Sequence, residues 1–280
     1  MPTIRERRQA FRRLHEQGCF LLPNPWDAGS ARFLESLGFQ ALASTSSGTA
    51  WALGLADNHI SLEQALAQCR VLVEATNLPV NADFEGGFAH DPEGVGRNVA
   101  SCLEIGVAAI SIEDSTGDPA APLRSLEESV ERLAAARSAI DRAGGDALLV
   151  GRAECFLTGH EKPLAESIRR LQAYDRVGAD VLYAPGVTRP EEIAELVRAV
   201  APKPLNALAV AGSSLEAMAA LGVRRISIGG ALARAAWAGF LRAAREMATS
   251  GTWAELKNAV PGAELDDFFT SHPAPESRRN

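Results

Sequence analysis

The chain has no apolar run long enough to cross a bilayer, so no candidate membrane-spanning helix is visible. Cysteine is scarce: Cys19, Cys69, Cys102 and Cys155 are far apart and form no CxxC pair. That speaks against a disulfide framework or a zinc site and fits a reducing compartment. Basic residues are outnumbered, 28 Lys and Arg against 35 Asp and Glu, for a net charge of -7. An acidic chain is a poor match for nucleic acid or an anionic membrane. Met1 to Arg8 lack the apolar stretch of a secretory signal, so the expected location is the cytoplasm. The first strand lacks GxGxxG, which weakens a dinucleotide-binding fold. No low-complexity segment or linker divides the chain.

What is present is ordinary globular composition, 280 residues with 46% hydrophobic and 22% charged, enough for a large core. Thr3-Ile-Arg-Glu6 reads as a capping box opening a helix with Ile4, Phe11 and Leu14 on one stripe, stopped by Gly18. Arg5, Arg7, Arg8, Arg12 and Arg13 on that helix read as a solvated basic face. Short apolar runs follow at Cys19–Pro23, Phe39–Ala43, from Val80, at Val107–Ile112, Leu148–Val150, Val181–Tyr183, at Pro204-Leu205 and at Arg225–Ile228. A helical segment follows each run. Asp27, Ser61, Asp91-Pro92, Ser125, Thr188 and Ser213 supply start signals. Continuous rather than alternating apolar runs indicate strands buried on both faces, as in a parallel sheet. Eight such units predict a (β/α)8 TIM barrel over residues 1–262, with a C-terminal tail at 263–280 whose Leu265, Phe268 and Phe269 pack on a neighbouring surface.

In such barrels chemistry gathers at the C-terminal ends of the strands. Those ends are polar: Asn24 and Asp27, Ser44 to Ser47, Asn81 and Asp83, Glu113, Arg152, Tyr183, Asn206 and Gly229. The stretch Val80-Asn-Ala-Asp-Phe-Glu-Gly-Gly87 is the densest. Asn81 and Asp83 share a strand face, and Glu85 joins them if the strand continues. Gly86-Gly87 would let backbone approach a ligand. Converging oxygens suit a hard cation such as Mg²⁺, although a capped strand end facing water reads the same. Arg152 offers a fork for a carboxylate or phosphate, or an ion pair with Glu113 or Glu154. The Ser44-Thr45-Ser46 amides form a carboxylate nest or a plain serine-rich loop. Thr116 and Asp118 enter the site only if the 115–124 loop closes as a lid. Cys155 reads as packing. Gly229-Gly230 raises a phosphate-binding alternative.

As a set, Asn24-Pro-Trp-Asp-Ala-Gly-Ser-Ala, Gly54-Leu-Ala-Asp57, Asn81-Ala-Asp83, Ile112-Glu113-Asp114, Gly151-Arg152-Ala-Glu and Leu205-Asn206 resemble the isocitrate lyase/phosphoenolpyruvate mutase superfamily. The resemblance runs from about residue 20 to 240. It implies a (β/α)8 barrel, Mg²⁺ (or Mn²⁺), and a small 2-oxo or related carboxylate substrate. A homotetramer or homodimer is also implied, with a C-terminal helix exchanged between subunits. Carried over by position, Ser44, Thr45, Ser46, Arg152, Asn206 and Trp26 would contact substrate. Asp83, Asn81, Glu85, Asp57 and Glu113 would surround the metal. Arg152, Glu113 and Asp57 would be the catalytic groups.

The chain departs from the superfamily pattern in three places. Asn81 stands where an aspartate is usual. The Lys/Arg-Cys-Gly-His loop of the lyases, and the mutase lysine there, are replaced by Ser115-Thr-Gly-Asp-Pro-Ala-Ala-Pro-Leu123. Pro185 falls where a charged residue often ends the sixth strand. The expectation is therefore a Mg²⁺-dependent lyase acting through an enolate-like intermediate, by carbon–carbon cleavage or by decarboxylation of an oxaloacetate-like acid. The alternatives are a catalytically silent 2-oxo-acid binder and a phosphonopyruvate-type P–C bond enzyme.

Overall fold

The structure, a computed structural model, describes residues 2–273 and residue 275. Eight parallel strands form one sheet: β1 Phe20–Leu22, β2 Leu42–Ala43, β3 Val80–Asp83, β4 Ala109–Glu113, β5 Leu148–Arg152, β6 Val181–Tyr183, β7 Leu205–Leu208 and β8 Arg225–Ser227. The hydrogen-bonded order runs β1-β8-β7-β6-β5-β4-β3-β2. Across the remaining seam, the Ala43 amide donates to the Pro23 carbonyl at 3.0 Å, which brings the two end strands together. The expected (β/α)8 barrel is what the chain forms.

The helices are α1 Ile4–Leu14, α2 Ala28–Ser36, α3 Ser46–Ala52, α4 Leu62–Ala75, α5 Pro92–Ile105, α6 Leu126–Arg142, α7 Pro163–Arg176, α8 Pro190–Val200, α9 Leu215–Ala220, α10 Ala231–Ser250 and α11 Gly262–Ser271. Thr3 and Ser61 form capping boxes, Asp27 pairs reciprocally with Ser30, and Asp91 and Ser125 cap as expected. Two expected start signals shift by one residue. Helix α8 starts after Arg189 with no side-chain cap, and Ser214 rather than Ser213 caps α9. Leu42 starts β2, three residues later than the apolar run suggests, and Phe39 is a half-buried residue packed against the larger apolar cluster.

Two apolar layers result. One lies between the strands and the helix ring, with Ile110, Leu149, Leu182 and Ile226 facing Val99, Leu133, Leu171 and Leu196. The other fills the barrel interior with Phe20, Leu22, Ala43, Ala109, Val150 and Val181. Helix α1 closes the floor of that interior. Its fully buried Phe11 stands edge-on to Phe20 at 6.2 Å and to His15 at 4.8 Å. Burying such a ring contributes about 1.5–3 kcal/mol. The arginines of α1 are not one solvated face. Arg8 is buried and donates to the Val107 and Leu103 carbonyls at 3.0 Å each, and Arg7 donates to Val73. They donate to carbonyls near the ends of α5 and α4 and just before β4, where helix-end carbonyls lack part of their intrahelical bonding.

The tail expectation is changed in form. Helix α11 docks on α2, with Phe268 stacked on Phe33 at 3.7 Å and Arg32 over the Phe269 ring. Residues 274 and 276–280 of the tail lie outside the described residues. Helix α10 is different: of its 20 residues only Ala233 is buried, and Trp237, Phe240, Leu241 and Met247 are exposed.

Candidate active site

The C-terminal ends of β3, β4 and β5 meet around one guanidinium. Parallel pairing puts Asp83 beside Ser111 and Glu113 beside Arg152. Arg152 reaches Asp83 at 3.2 Å and Glu113 at 3.1 Å, and its Nε donates to Glu154. Its guanidinium also lies 5.4 Å from the Tyr183 ring centre. Both ion-pair partners weighed for Arg152 are therefore present, and Asp83 is a third. Burial alone would lower the Arg152 pKa, but Glu113, Glu154 and Asp83 raise it well above its usual value. It is a permanent cation.

The carboxylates outnumber it. Burial pushes Glu113 well above the usual carboxylate range; Arg152 opposes, and Glu154, Asp83 and Glu85 add to the rise. Burial also raises Glu154. Glu85 is pushed up to about 8 by burial first, then by the charges of Asp83 and Asp57. Its buried Oε1 has no hydrogen-bond partner among the described residues. Asp57 sits on the exposed loop after α3, where burial of its carboxyl and the Asp83 charge raise it. Acid groups held this far up mark a place where a further positive charge would be welcome.

Local structure fixes Asp83. Its Oδ2 accepts from the Ser46 amide and hydroxyl at 2.9 Å each, and its own amide donates to the Ser44 hydroxyl at 2.8 Å. The expected serine-rich loop is the start of α3, with Thr45 as N-cap accepting from Gly48. The carboxylate at this nest is thus the chain's own Asp83. Strand β3 stops there. Glu85 takes a left-handed backbone (φ 43) in the turn that follows, so it reaches the cluster from the turn rather than along the strand. Gly87 (φ 86) serves helix packing, not ligand approach: a Cβ would lie 2.8 Å from Val95 of α5.

Of three further expected residues, Asn81 and Asn206 border the same small cavity as Asp83 and Arg152, and Trp26 lines a different one. Asn81 points into the barrel, where its Oδ1 accepts from Arg225 at 3.3 Å and its Nδ2 donates to Ser111. Its oxygen therefore faces Arg225, as the Asp83 and Glu113 oxygens face Arg152. Asn206 lies in the same interior layer, accepting from Arg225 Nε at 2.8 Å and donating to Ser227. Trp26 lines an apolar cavity of about 240 Å³ with Ala52, Ala233 and Trp237, away from Arg152. The Gly229 amide, offered for phosphate, already donates to Asn24 Oδ1 at 2.9 Å, as does that of Ile228. A Cβ on Gly230 would meet the Trp51 ring and Ser47. Packing explains that pair of glycines.

The 115–124 segment is a small hairpin, with Ser115 bridged to Leu123. Thr116 donates to the Ala121 carbonyl and Asp118 accepts from Ala120, so both polar groups brace the hairpin itself. Beneath it lies a cavity of about 120 Å³ lined by Asn58, Glu85, Glu113, Thr116 and Arg124. A second cavity of about 40 Å³, on the barrel side, touches Asp83, Arg152, Tyr183 and Arg225. Cys155 is buried and burial pushes its thiol up to about 11, which leaves it inert at neutral pH.

Sequence reasoning quoted Asp114 without giving it a role. It is buried, accepting from the Glu154 amide at 2.8 Å, Arg170 at 2.9 Å and the Tyr174 hydroxyl at 2.6 Å. This ties β4 to the end of β5 and to α7, and so holds Glu154 beside Arg152. Removing one partner of such a buried pair costs about 3–5 kcal/mol. The charged doublet Glu113-Asp114 after an apolar strand was the available signal. Arg225 was also missed; an arginine opening an apolar run looks like a strand start facing water.

What the cluster offers a cation is a set of acid groups. Among the described residues no three His, Cys, Asp or Glu side chains form a ready cage of direct ligands. Mg²⁺ does not need one, since it keeps several waters and takes one or two carboxylates. Glu85, Asp83, Asp57 and Glu113 are the groups that would hold it, and the orphaned Glu85 Oε1 is the observation that favours it. Linkage gives a check on Glu85. Its proton is held to about pH 8 in the fold but only to the usual 4.5 when unfolded. The fold is therefore most favoured below 4.5 and loses stability as pH rises towards 8. In metal-free buffer, Glu85→Gln should raise Tm near pH 8.5 by roughly 2–4 °C, the shift that about 1 kcal/mol gives at this size, and by less near pH 5. Calorimetry at the two pH values checks this; an equal shift at both would contradict it.

Comparison with known proteins agrees with this architecture. The family profile described as phosphoenolpyruvate phosphomutase matches residues 11–248. A solved structure from Burkholderia cenocepacia J2315, described only as a lyase/mutase, superposes with a TM-score of 0.92 at 44% identity, covering 97% of this chain and 99% of that one. An uncharacterized protein of Mycobacterium tuberculosis is 31% identical over 91% of this chain and 94% of its own length. An oxaloacetate decarboxylase of Bradyrhizobium diazoefficiens is 32% identical over 73% of this chain and 75% of its own. Among the described residues no helix is long and apolar enough to cross a membrane. The chain belongs to the phosphoenolpyruvate phosphomutase family, within the PEP mutase/isocitrate lyase superfamily of lyases and mutases.

Proposed function

We propose that the chain is a Mg²⁺-dependent lyase for a small 2-oxo or 2-hydroxy carboxylic acid, and that it decarboxylates an oxaloacetate-like acid. The observation that carries this reading is Arg152 held among more carboxylates than it can neutralise, at the mouth of the barrel. A bound Mg²⁺ would supply Lewis-acid polarisation of the 2-oxo group. Mn²⁺ would serve the same site. Arg152 then meets the substrate's negative charge with a fixed guanidinium that needs no reorganisation. Ser46 and Ser44 keep Asp83 in place during this, and Asp114 keeps Glu154 in place.

Decarboxylation suits the hairpin chemistry. The bond from C3 to the leaving carboxylate breaks, its electron pair passes to the C3–C2–O enolate, and CO₂ departs. Water then protonates C3. No acid is required from the 115–124 hairpin, which offers neither Cys, Lys nor His. The similarity to an oxaloacetate decarboxylase supports the same choice.

We further propose that the protein self-associates through α10. A soluble chain rarely leaves Trp237, Phe240, Leu241 and Met247 together in water. A second copy offering the same face would cover them.

Two measurements test these readings. Proton NMR with Mg²⁺ and a panel of 2-oxo and 2-hydroxy acids should show loss of oxaloacetate and gain of pyruvate, abolished by EDTA. Arg152→Ala should lower kcat/KM by roughly 10²–10³-fold, the cost of losing one preorganised donor. No turnover of any acid, with a 2-oxo acid still raising Tm, would replace the lyase reading with that of a binding protein. Light scattering should give a mass of at least a dimer, and Trp237→Glu with Phe240→Glu should shift it towards one chain; a monomeric parent protein would refute the association.

A further inference from the structure

The barrel interior contains a cation that the lyase chemistry above does not use. Arg225 begins β8 and is only 2% exposed. Of its five N–H donors, Nε meets the Asn206 oxygen at 2.8 Å and Nη1 meets the Asn81 oxygen at 3.3 Å. Both acceptors are neutral. Among the described residues no carboxylate raises its pKa, and burial pushes it down to about 9. A buried charge without a counter-charge is costly, and a neutral residue would fill the space at no such cost.

The guanidinium borders a cavity of about 40 Å³. Asn24, Ser44, Ser111, Tyr183 and Ser227 face it along with Arg225, and Leu22 and Ala43 supply apolar wall. Asp83 and Arg152, which pair with each other, also border it. The other Asp83 oxygen accepts from the Ser46 amide and hydroxyl. The two asparagines are held in a fixed sense. Each turns its oxygen to Arg225 and its NH₂ to a serine, Ser111 or Ser227. The cavity has room for a chloride-sized ion or a single carboxylate group, since a space of about 10–15 Å³ already suffices for one water.

We propose that Arg225 is the base of a small-anion subsite inside the barrel, which takes one carboxylate group or one monovalent inorganic ion. If the carboxylate is the substrate's own, this arm rests on the lyase reading above; the inorganic-ion arm does not. The site is built from side chains of β3, β4, β6, β7 and β8, so it would also tie one side of the barrel together.

The test uses the full-length protein at constant ionic strength, with sodium gluconate replaced stepwise by sodium bromide or sodium formate. The wild type should show a saturable rise in Tm with bromide and with formate. Arg225→Met should lose the saturable part, while Arg225→Lys should keep it with a weaker midpoint. A wild-type Tm that does not respond to the exchange would overturn the proposal, and so would an unchanged saturable response in Arg225→Met. Should the Met variant fail to fold, the wild-type exchange and the Lys midpoint decide alone. Adding oxaloacetate separates the sources. Competition with bromide identifies the subsite with a substrate carboxylate; additive stabilisation identifies it with a free ion. Either result is independent of turnover, so a failure of the lyase reading would leave the anion result standing.

Discussion

One guanidinium held among carboxylates is the constraint on which the site depends. Arg152 is reached by Asp83 from β3, Glu113 from β4 and Glu154 just beyond β5. Adjacent parallel strands bring these groups into one layer because the register pairs Glu113 with Arg152 directly. A single positive charge cannot satisfy three carboxylates and the nearby Glu85. Burial then leaves Glu113, Glu154 and Glu85 holding their protons more tightly than carboxyls in water. Under the proposed function, such a cluster would exchange protons for a metal ion and leave Arg152 to meet an anionic substrate.

The supports are as specific as the cluster. Asp114 binds Arg170 and Tyr174 of α7 while accepting from the Glu154 amide. Ser44 and Ser46 pin Asp83, and Asn24 joins the β8 end to Ser44 through its carbonyl. Each contact crosses between neighbouring βα units. The barrel floor is closed independently by Phe11 and Arg8 of α1. Polar geometry at the mouth therefore rests on a rigid apolar interior, the arrangement that keeps catalytic side chains from drifting.

Much of this was legible in the sequence. Apolar runs without alternation marked buried parallel strands, and polar residues closing those runs marked the mouth. Asp83, Glu113 and Arg152 stood out because charges at the end of a buried strand need partners. What stayed hidden depends on contacts between distant segments. Asn81 and Asp83 share a strand face, yet one sits a layer deeper and meets Arg225 of β8 rather than the carboxylates. Trp26 lies in a motif with Asn24, but the chain turns between them and sends the indole to the α10 side. The serines after β2 looked like an open nest because nothing local shows that Asp83 fills it. Arg8 looked solvated because the carbonyls that it satisfies lie more than ninety residues away in sequence.

The central claim is that the protonated carboxyls around Arg152 form a cation site. Titration calorimetry with MgCl₂ near pH 7, in two buffers of different ionisation enthalpy, measures both binding and the protons released. A carboxyl pushed up to about 8 is largely protonated at that pH. Magnesium binding should therefore release close to one proton from Glu85 alone, since ligand carboxylates must be deprotonated. Glu85→Gln should remove most of that release. Binding with no proton released, or no binding at all, would contradict the account.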